Sequence, residues 1–393
     1  MALPSFTTEP SPRVTFGSNR VDRLGEDVDR LAGRRSKVLL VTDPGVIAAG
    51  AAGRVQRALE QSGHATAVFS DLTGEPQIHQ VDAAAELARK QGAQVVIGLG
   101  GGSALDTSKL AAAAAAATVS AQHFELCANP LPADGLIRIC IPTTAGTGSE
   151  ATRTSVFTNA AGAKVWAWGA ELKPHLALLD PTLSTGLPTR LTAATGVDAL
   201  VHAIEAVTIR RANPLNDATG LQAIRLVVRH LKRAVEAPDD LDARGGMLTA
   251  ACLAGMAIDG SGTGIAHAIG HALGTVGHVH HGRAVGLCLR VALGWNAEAA
   301  PERHAAVAEA MGIARDGRSD RDLAAALAPA YDRFLRSVGL PIALSSDGLG
   351  EKDAKRLAEV TMSVENEPMR KSNCRDITPA DAERFARELL TAA

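Results

Sequence analysis

The pattern of hydrophobic and polar positions changes period once along the chain, and that change divides it in two. In the first half the apolar runs are short: KVLLVTD (37–43), HATAVFS (64–70), QVVIGLG (94–100), IRICIP (137–142) and LALLD (176–180). Runs of that length bounded by turn residues predict buried strands. Helical spacing lies between them near 50–62 and over IHQVDAAAELARKQG (78–92). Strands alternating with helices in this way predict a parallel sheet covered on both faces. Residues 1–35 look like a lead-in with a short strand at Arg13–Phe16, and 153–159 with 163–169 predict a hairpin.

After Pro188 strand-like runs nearly vanish. Helical periodicity covers 191–208, 215–236, 240–259, 262–276, 283–298, 302–312, 320–338, 351–363 and 379–391. The expected organisation is an α/β domain over residues 1–187, with a Rossmann-like parallel sheet, followed by an all-α helical domain over 188–393. The active site is expected in the cleft between them.

A chain of 393 residues can bury large cores in two domains. Lys and Arg number 40 against 42 Asp and Glu, and aromatic residues make up 3 %. That balance gives no basic field and no stacking platform for nucleic acid. The first residues lack a charged segment leading into an apolar run, so no signal peptide is expected. No apolar stretch is long enough for a transmembrane helix. The five cysteines are scattered, without a C-x-x-C pair, which fits a reducing cytoplasm.

The candidate chemistry falls in three places. QVVIGLG runs into GGGSALDTSK (100–109) and an alanine-rich helix. Glycines between a strand and a helix let the backbone approach a ligand, and the helix N-terminus offers free N–H groups to a phosphate. The G-x-G-x-x-G order is absent, so the common dinucleotide fingerprint is not the basis of this assignment. The strand IRICIP feeds a second loop, TTAGTGSE (143–150), rich in hydroxyl groups and glycine. The third place is a histidine-rich region. Asp198 and His202 stand four apart in TGVDALVHAIEA, and His267 and His271 repeat that spacing in GIAHAIGHALG. His278, His280 and His281 follow closely. One carboxylate and several imidazoles on helix faces suit a divalent first-row metal.

These motifs together resemble the iron-containing (group III) alcohol dehydrogenase superfamily. GGGSALDTSK is similar to its GGGSxxDxxK, PTTAGTGSEAT to its PTTAGTGSEVT, and TGVDALVHAIEA to its TGxDAxxHAxEA. GIAHAIGHALG and the later HHG are similar to its GxxHxxxH and PHG. The resemblance implies the architecture shared with dehydroquinate synthase-like proteins. It implies a metal-dependent NAD(H) enzyme acting on CH–OH groups, an alcohol dehydrogenase or aldehyde reductase. Such an enzyme transfers a hydride between nicotinamide and a small alcohol or carbonyl substrate. It also implies Fe²⁺, with Zn²⁺ as the alternative occupant, and a homodimer. A hydroxyacid–oxoacid transhydrogenase, a maleylacetate reductase-like enzyme and a dehydroquinate synthase-like lyase stand as alternatives within the same superfamily.

Residue by residue, the resemblance places the metal on Asp198, His202, His267 and His281, with His271 beside it as a candidate proton relay. It places the cofactor on Asp43, at the adenosine ribose, and on Gly100, Gly101, Gly102, Ser103 and Asp106 of the first loop. Thr143, Thr144 and Thr147 of the second loop and Lys164 complete that set. His281 is favoured over His280 as the last ligand by its distance along the chain from His267. Gly282 after it is expected to let the chain turn tightly. Three positions depart from the family pattern. His280 stands where relatives have Pro, Glu75-Pro76 replaces an Asn-Pro, and NEPMRKSNCR (366–375) replaces the usual Asn-Pro-Arg tail. Arg153 is read chiefly as a surface or interface residue, with a role in binding an acidic substrate as the alternative.

Overall fold

The structure is a computed structural model that describes residues 5–392. The outermost parts of the two expected domains, residues 1–4 and 393, lie outside the described residues. Strands β1 (Arg13–Phe16), β2 (Lys37–Val41), β3 (Ala65–Phe69), β4 (Val95–Gly100), β5 (Ile137–Pro142) and β8 (Leu176–Leu179) form one six-stranded sheet. Its order is β1-β8-β5-β4-β2-β3, and every pairing is parallel. β6 (Thr154–Thr158) and β7 (Lys164–Trp168) form a separate antiparallel hairpin.

Alternation along β2 explains why both faces of the sheet are covered. Leu39 and Val41 join a core formed with helices α4 (Ile78–Gln91) and α5 (Gly102–Ala117). Val38 and Leu40 join the opposite core with α1 (Leu24–Ala32) and α3 (Ala51–Gln61). Successive strand side chains point to opposite faces, so a continuous apolar run serves two helix layers at once. The stretch expected to be a lead-in contains α1, which buries Leu24 and Val28. Four-residue spacing on so short a helix is easily passed over.

Chain direction reverses across the sheet between β2 and β4. From β2 the chain moves outward to β3, then crosses back to β4 and on to β5. In open α/β sheets ligands bind at the carboxyl ends of the strands at such a switch point. The segments that leave β2 and β4 there are short helix α2 (Pro44–Ala48), after Asp43, and the glycine loop.

The helical part comprises α6 (Thr189–Thr208), α7 (Pro214–Glu236), α8 (Leu241–Ser261), α9 (Ile265–Gly277) and α10 (His281–Ala299). It continues with α11 (Pro301–Ala310), α12 (Asp320–Ser337), α13 (Ala354–Thr361), α14 (Glu367–Ser372) and α15 (Pro379–Thr391). α6 is buried on all sides from Val197 to Thr208, as expected for the central helix of a bundle. No described helix is long and apolar enough to cross a membrane.

The chain divides into two compact units. One holds Glu9–Thr144 and Gly148–Leu187, and the other holds Ala145–Thr147 with the chain from Pro188 onward. A single division at 187/188 therefore misses Ala145–Thr147. That short segment packs with the helical unit, where the backbone of Gly146 hydrogen-bonds His202.

Candidate metal centre and nucleotide loops

Helix α6 presents Asp198, His202 and Glu205 at i, i+4 and i+7, one polar stripe on an otherwise apolar buried helix. Helix α9 presents His267, and α10 begins at His281. Close approach of these helices brings the side chains together. A Cβ on Gly282 would stand 2.3 Å from the carbonyl oxygen of Ala194 and 3.1 Å from Cβ of Asp198. The expectation that Gly282 serves a turn is therefore corrected. It lies inside the first turn of α10, and its missing side chain lets that helix touch α6.

Asp198, His202, His267 and His281 each offer a ligand atom, and these atoms lie within 4.8 Å of one another. His202 Nδ1 and His281 Nε2 stand 3.8 and 3.7 Å from Asp198 Oδ1. The His202 and His267 rings stack, 4.6 Å apart and inclined by 25°. Asp198 Oδ1, His202 Nδ1 and His267 Nε2 are buried without a hydrogen-bond partner. Each such atom costs about 1–3 kcal/mol when left unsatisfied. Three converging on one point, a carboxylate and two imidazoles, fit a divalent cation of the iron or zinc type. Burial holds the His202 imidazole below its usual pKa, favouring the neutral form that a metal requires.

Glu205, which sequence reasoning passed over, completes the centre from behind. Its Oε2 accepts from His267 Nδ1 at 2.6 Å and from Gly264 N at 2.8 Å, and its Oε1 accepts from Ala266 N at 2.7 Å. Burial alone would raise its pKa. The His267 imidazole and the two amides that donate to it outweigh burial and keep it below the usual carboxylate range. The signal was present in the i+7 spacing from Asp198.

Among the other histidines, His271 is half-buried, with its ring 5.4 Å from that of His281 and 6.2 Å from that of His267. It is not one of the four converging residues. His280 is exposed at the N-cap of α10, and His278 is exposed at the C-cap of α9 in a left-handed conformation.

Asp43 and the glycine loop lie at the switch point of the sheet. Asp43 lies two residues beyond β2 and caps α2, its Oδ1 accepting from Val46 N at 3.0 Å. Gly100 has φ +149°, and a Cβ there would stand 2.9 Å from Cβ of Ala104 and 3.2 Å from Oδ2 of Asp43. No side chain fits between that carboxylate and the helix. Gly101 caps α5, with Gly102 and Ser103 opening its first turn. Thr143 N donates to Gly100 O at 2.9 Å, and Thr144 lies beside Gly101. Thr147 belongs to the helical unit.

Two residues assigned to the cofactor are engaged by the protein itself. Asp106 accepts from Ser149 Oγ at 2.5 Å and from Val156 N at 3.0 Å, and pairs with Lys109 at 3.0 Å. Lys109 is fully buried and donates to Ser149 O and Thr154 O. This pair pins the second loop and the hairpin to α5, so Asp106 shapes the loops from beneath. Lys164 is paired with Glu75 at 2.6 Å, which gives the departing residue of the Glu75-Pro76 loop a partner. Arg153 is 9 % exposed, stacks 4.1 Å over Trp168 and pairs with Glu9 at 3.7 Å. It is an internal tie of the α/β unit, buried where a surface or interface residue was expected.

Comparison with known proteins decides what this arrangement is. The iron-containing alcohol dehydrogenase pattern matches residues 11–181, and the C-terminal pattern of the Fe-containing alcohol dehydrogenase family matches 192–388. The chain belongs to the iron-containing alcohol dehydrogenase family. Choline dehydrogenase of Bacillus subtilis is 33 % identical over 96 % of this chain and 93 % of its own length. 1,3-Propanediol dehydrogenase of Citrobacter freundii is 37 % identical over 90 % and 92 %. The crystal structure of sulfoacetaldehyde reductase from Bifidobacterium kashiwanohense in complex with NAD⁺ superposes with a TM-score of 0.89 at 29 % identity, covering 99 % of each chain. As a member of this family the chain is an oxidoreductase acting on CH–OH groups, an alcohol dehydrogenase or aldehyde reductase that uses NAD(H) and Fe²⁺.

Proposed function

We propose that Asp198, His202, His267 and His281 hold the iron of this dehydrogenase and that its substrate is a small alcohol or the corresponding aldehyde. The observation that supports this most is the convergence of buried, unpartnered ligand atoms from α6 and α9. When bound, the ion supplies Lewis acidity toward a substrate oxygen and NAD(H) supplies the redox equivalent. The chain's own part is to bind and orient. Asp198 brings the charge that a dication needs in a buried site, and the three imidazoles bring neutral donors. His271, half-buried beside His281, is suited to pass a proton between that end of the site and solvent.

For the cofactor, we assign the adenosine ribose to Asp43 and the pyrophosphate to Gly100, Gly101, Gly102 and Ser103. A carboxylate at the end of β2 accepts from ribose hydroxyls, and the opening turn of α5 offers amides to phosphate. Thr143, Thr144 and Thr147 supply hydroxyl donors from the second loop. Asp106 contributes by holding that loop, and Lys164 contributes once its pair with Glu75 opens. We also propose a cytoplasmic homodimer. The scattered cysteines support the compartment. The edge strand β1, with Val14 and Phe16 exposed, supports self-association.

The test is a substrate panel of short alcohols, diols and hydroxy acids with iron-loaded protein, followed by NADH absorbance. NAD⁺ reduction with a small primary alcohol or diol is the expected result. Hydride exchange between a hydroxy acid and an oxo acid, without added NAD⁺ and without NADH release, would replace the dehydrogenase reading with a transhydrogenase.

A further inference from the structure

We propose that Glu205 is a positioning residue that selects Nε2 of His267 as the metal-facing atom. The inference rests on His267 being a ligand, as argued under Proposed function. A histidine has two ring nitrogens, and in the neutral ring one of them carries a proton. His267 Nδ1 lies 2.6 Å from Glu205 Oε2, and an ionised carboxylate only accepts. The proton therefore sits on Nδ1. The lone pair is left on Nε2, the atom that is buried without a partner among Asp198 and His202.

Glu205 is itself held by two backbone amides. Gly264 N donates to Oε2 and Ala266 N to Oε1, both at the start of the helix that carries His267. Between them, Ile265 N lies 3.4 Å from Oδ1 of Asn373, and Asn373 exchanges hydrogen bonds with Asn296 of α10 at 3.1 and 2.9 Å. The segment 366–375, set apart in the sequence as a departure, thus reaches the same helix terminus. The geometry makes α6, α9, α10 and the C-terminal segment share one buried polar cluster directly behind His267.

Only a carboxylate satisfies this cluster. A glutamine with its oxygen at Oε2 would turn its NH₂ against Ala266 N–H. With the oxygen at Oε1, its NH₂ would face Gly264 N–H and donate to His267 Nδ1. That second arrangement moves the ring proton to Nε2 and blocks the ligand atom.

Full-length protein stripped of metal is titrated with Zn²⁺ against a chromophoric chelator, as wild type, Glu205→Gln, Glu205→Asp and His267→Ala. Ring ¹⁵N spectra of the metal-free forms report the tautomer. Glu205→Gln is expected to weaken Zn²⁺ binding about 10–100-fold and to abolish the Nδ1–H signature of His267. Glu205→Asp, which keeps the charge on a shorter arm, should lose less, and it decides the matter if the glutamine variant does not fold. Zn²⁺ affinity within twofold of wild type in the folded Glu205 variants, with His267→Ala impaired, overturns the proposal. Wild-type affinity in His267→Ala overturns the ligand assignment itself, and this proposal with it.

Discussion

The imidazoles of His202 and His267 lie almost face to face, with centroids 4.6 Å apart, on helices that meet only through the fold. Each ring has a buried nitrogen without a partner, Nδ1 in the first and Nε2 in the second. Two such rings beside the Asp198 carboxylate are an unfavourable arrangement in a metal-free protein and a favourable one once a dication sits among them. Metal binding should therefore stabilise the fold. At a free metal concentration of 100 times Kd the gain is about 2.7 kcal/mol. Thermal melts of stripped protein with and without Fe²⁺ or Zn²⁺ should separate by several degrees, and His202→Ala should remove the difference.

Asp43 does two jobs that one substitution can separate. Its Oδ1 caps α2 and its Oδ2 lies against the Gly100 turn. Asp43→Ser keeps a side-chain oxygen for the cap but removes the charge that repels a 2′-phosphate. The ratio of kcat/KM for NADP(H) over NAD(H) should rise, with the melting temperature close to that of wild type. Wild-type efficiency higher with NADPH would contradict the role given to Asp43.

Glu150 gives the fold a pH dependence unrelated to the metal. It is 2 % exposed, its Oε1 has no partner, and burial pushes its pKa up to about 7. In the unfolded chain it ionises near 4.5. Between those values the folded protein binds more protons, so this group's contribution falls as pH rises through that window. The penalty above the folded pKa is on the order of 3 kcal/mol. Glu150→Gln should therefore gain stability relative to wild type between pH 5 and pH 8 in denaturant titrations. A difference independent of pH would show that Glu150 stays ionised in the folded state.

What the sequence made legible follows the reach of local periodicity. The strands and helices around the switch point were visible because each is set by its own residues. The i, i+4 spacing paired Asp198 with His202 and His267 with His271, since that spacing marks a helix face, but His281 was reached only through the family resemblance and not through periodicity. Contacts made between distant segments were hidden. Glu205 looked like one more motif residue because its amide partners, Gly264 and Ala266, come from the start of another helix. The internal partners of Asp106, Ser149 and Val156, were equally hidden because they lie beyond the next strand. Gly282 looked like a turn because nothing local reveals that Ala194 presses against it.

The central claim is that the fourth position of the metal centre is His281 and not its neighbour. His281 Nε2 is 3.7 Å from Asp198 Oδ1, whereas His280 is exposed at the N-cap of α10. The most direct measurement is iron content by elemental analysis of His281→Ala and His280→Ala after anaerobic reconstitution with Fe²⁺. The account predicts that His281→Ala loses both iron and turnover, while His280→Ala keeps its iron and loses activity by a smaller factor. Iron retained in His281→Ala and lost in His280→Ala would contradict it.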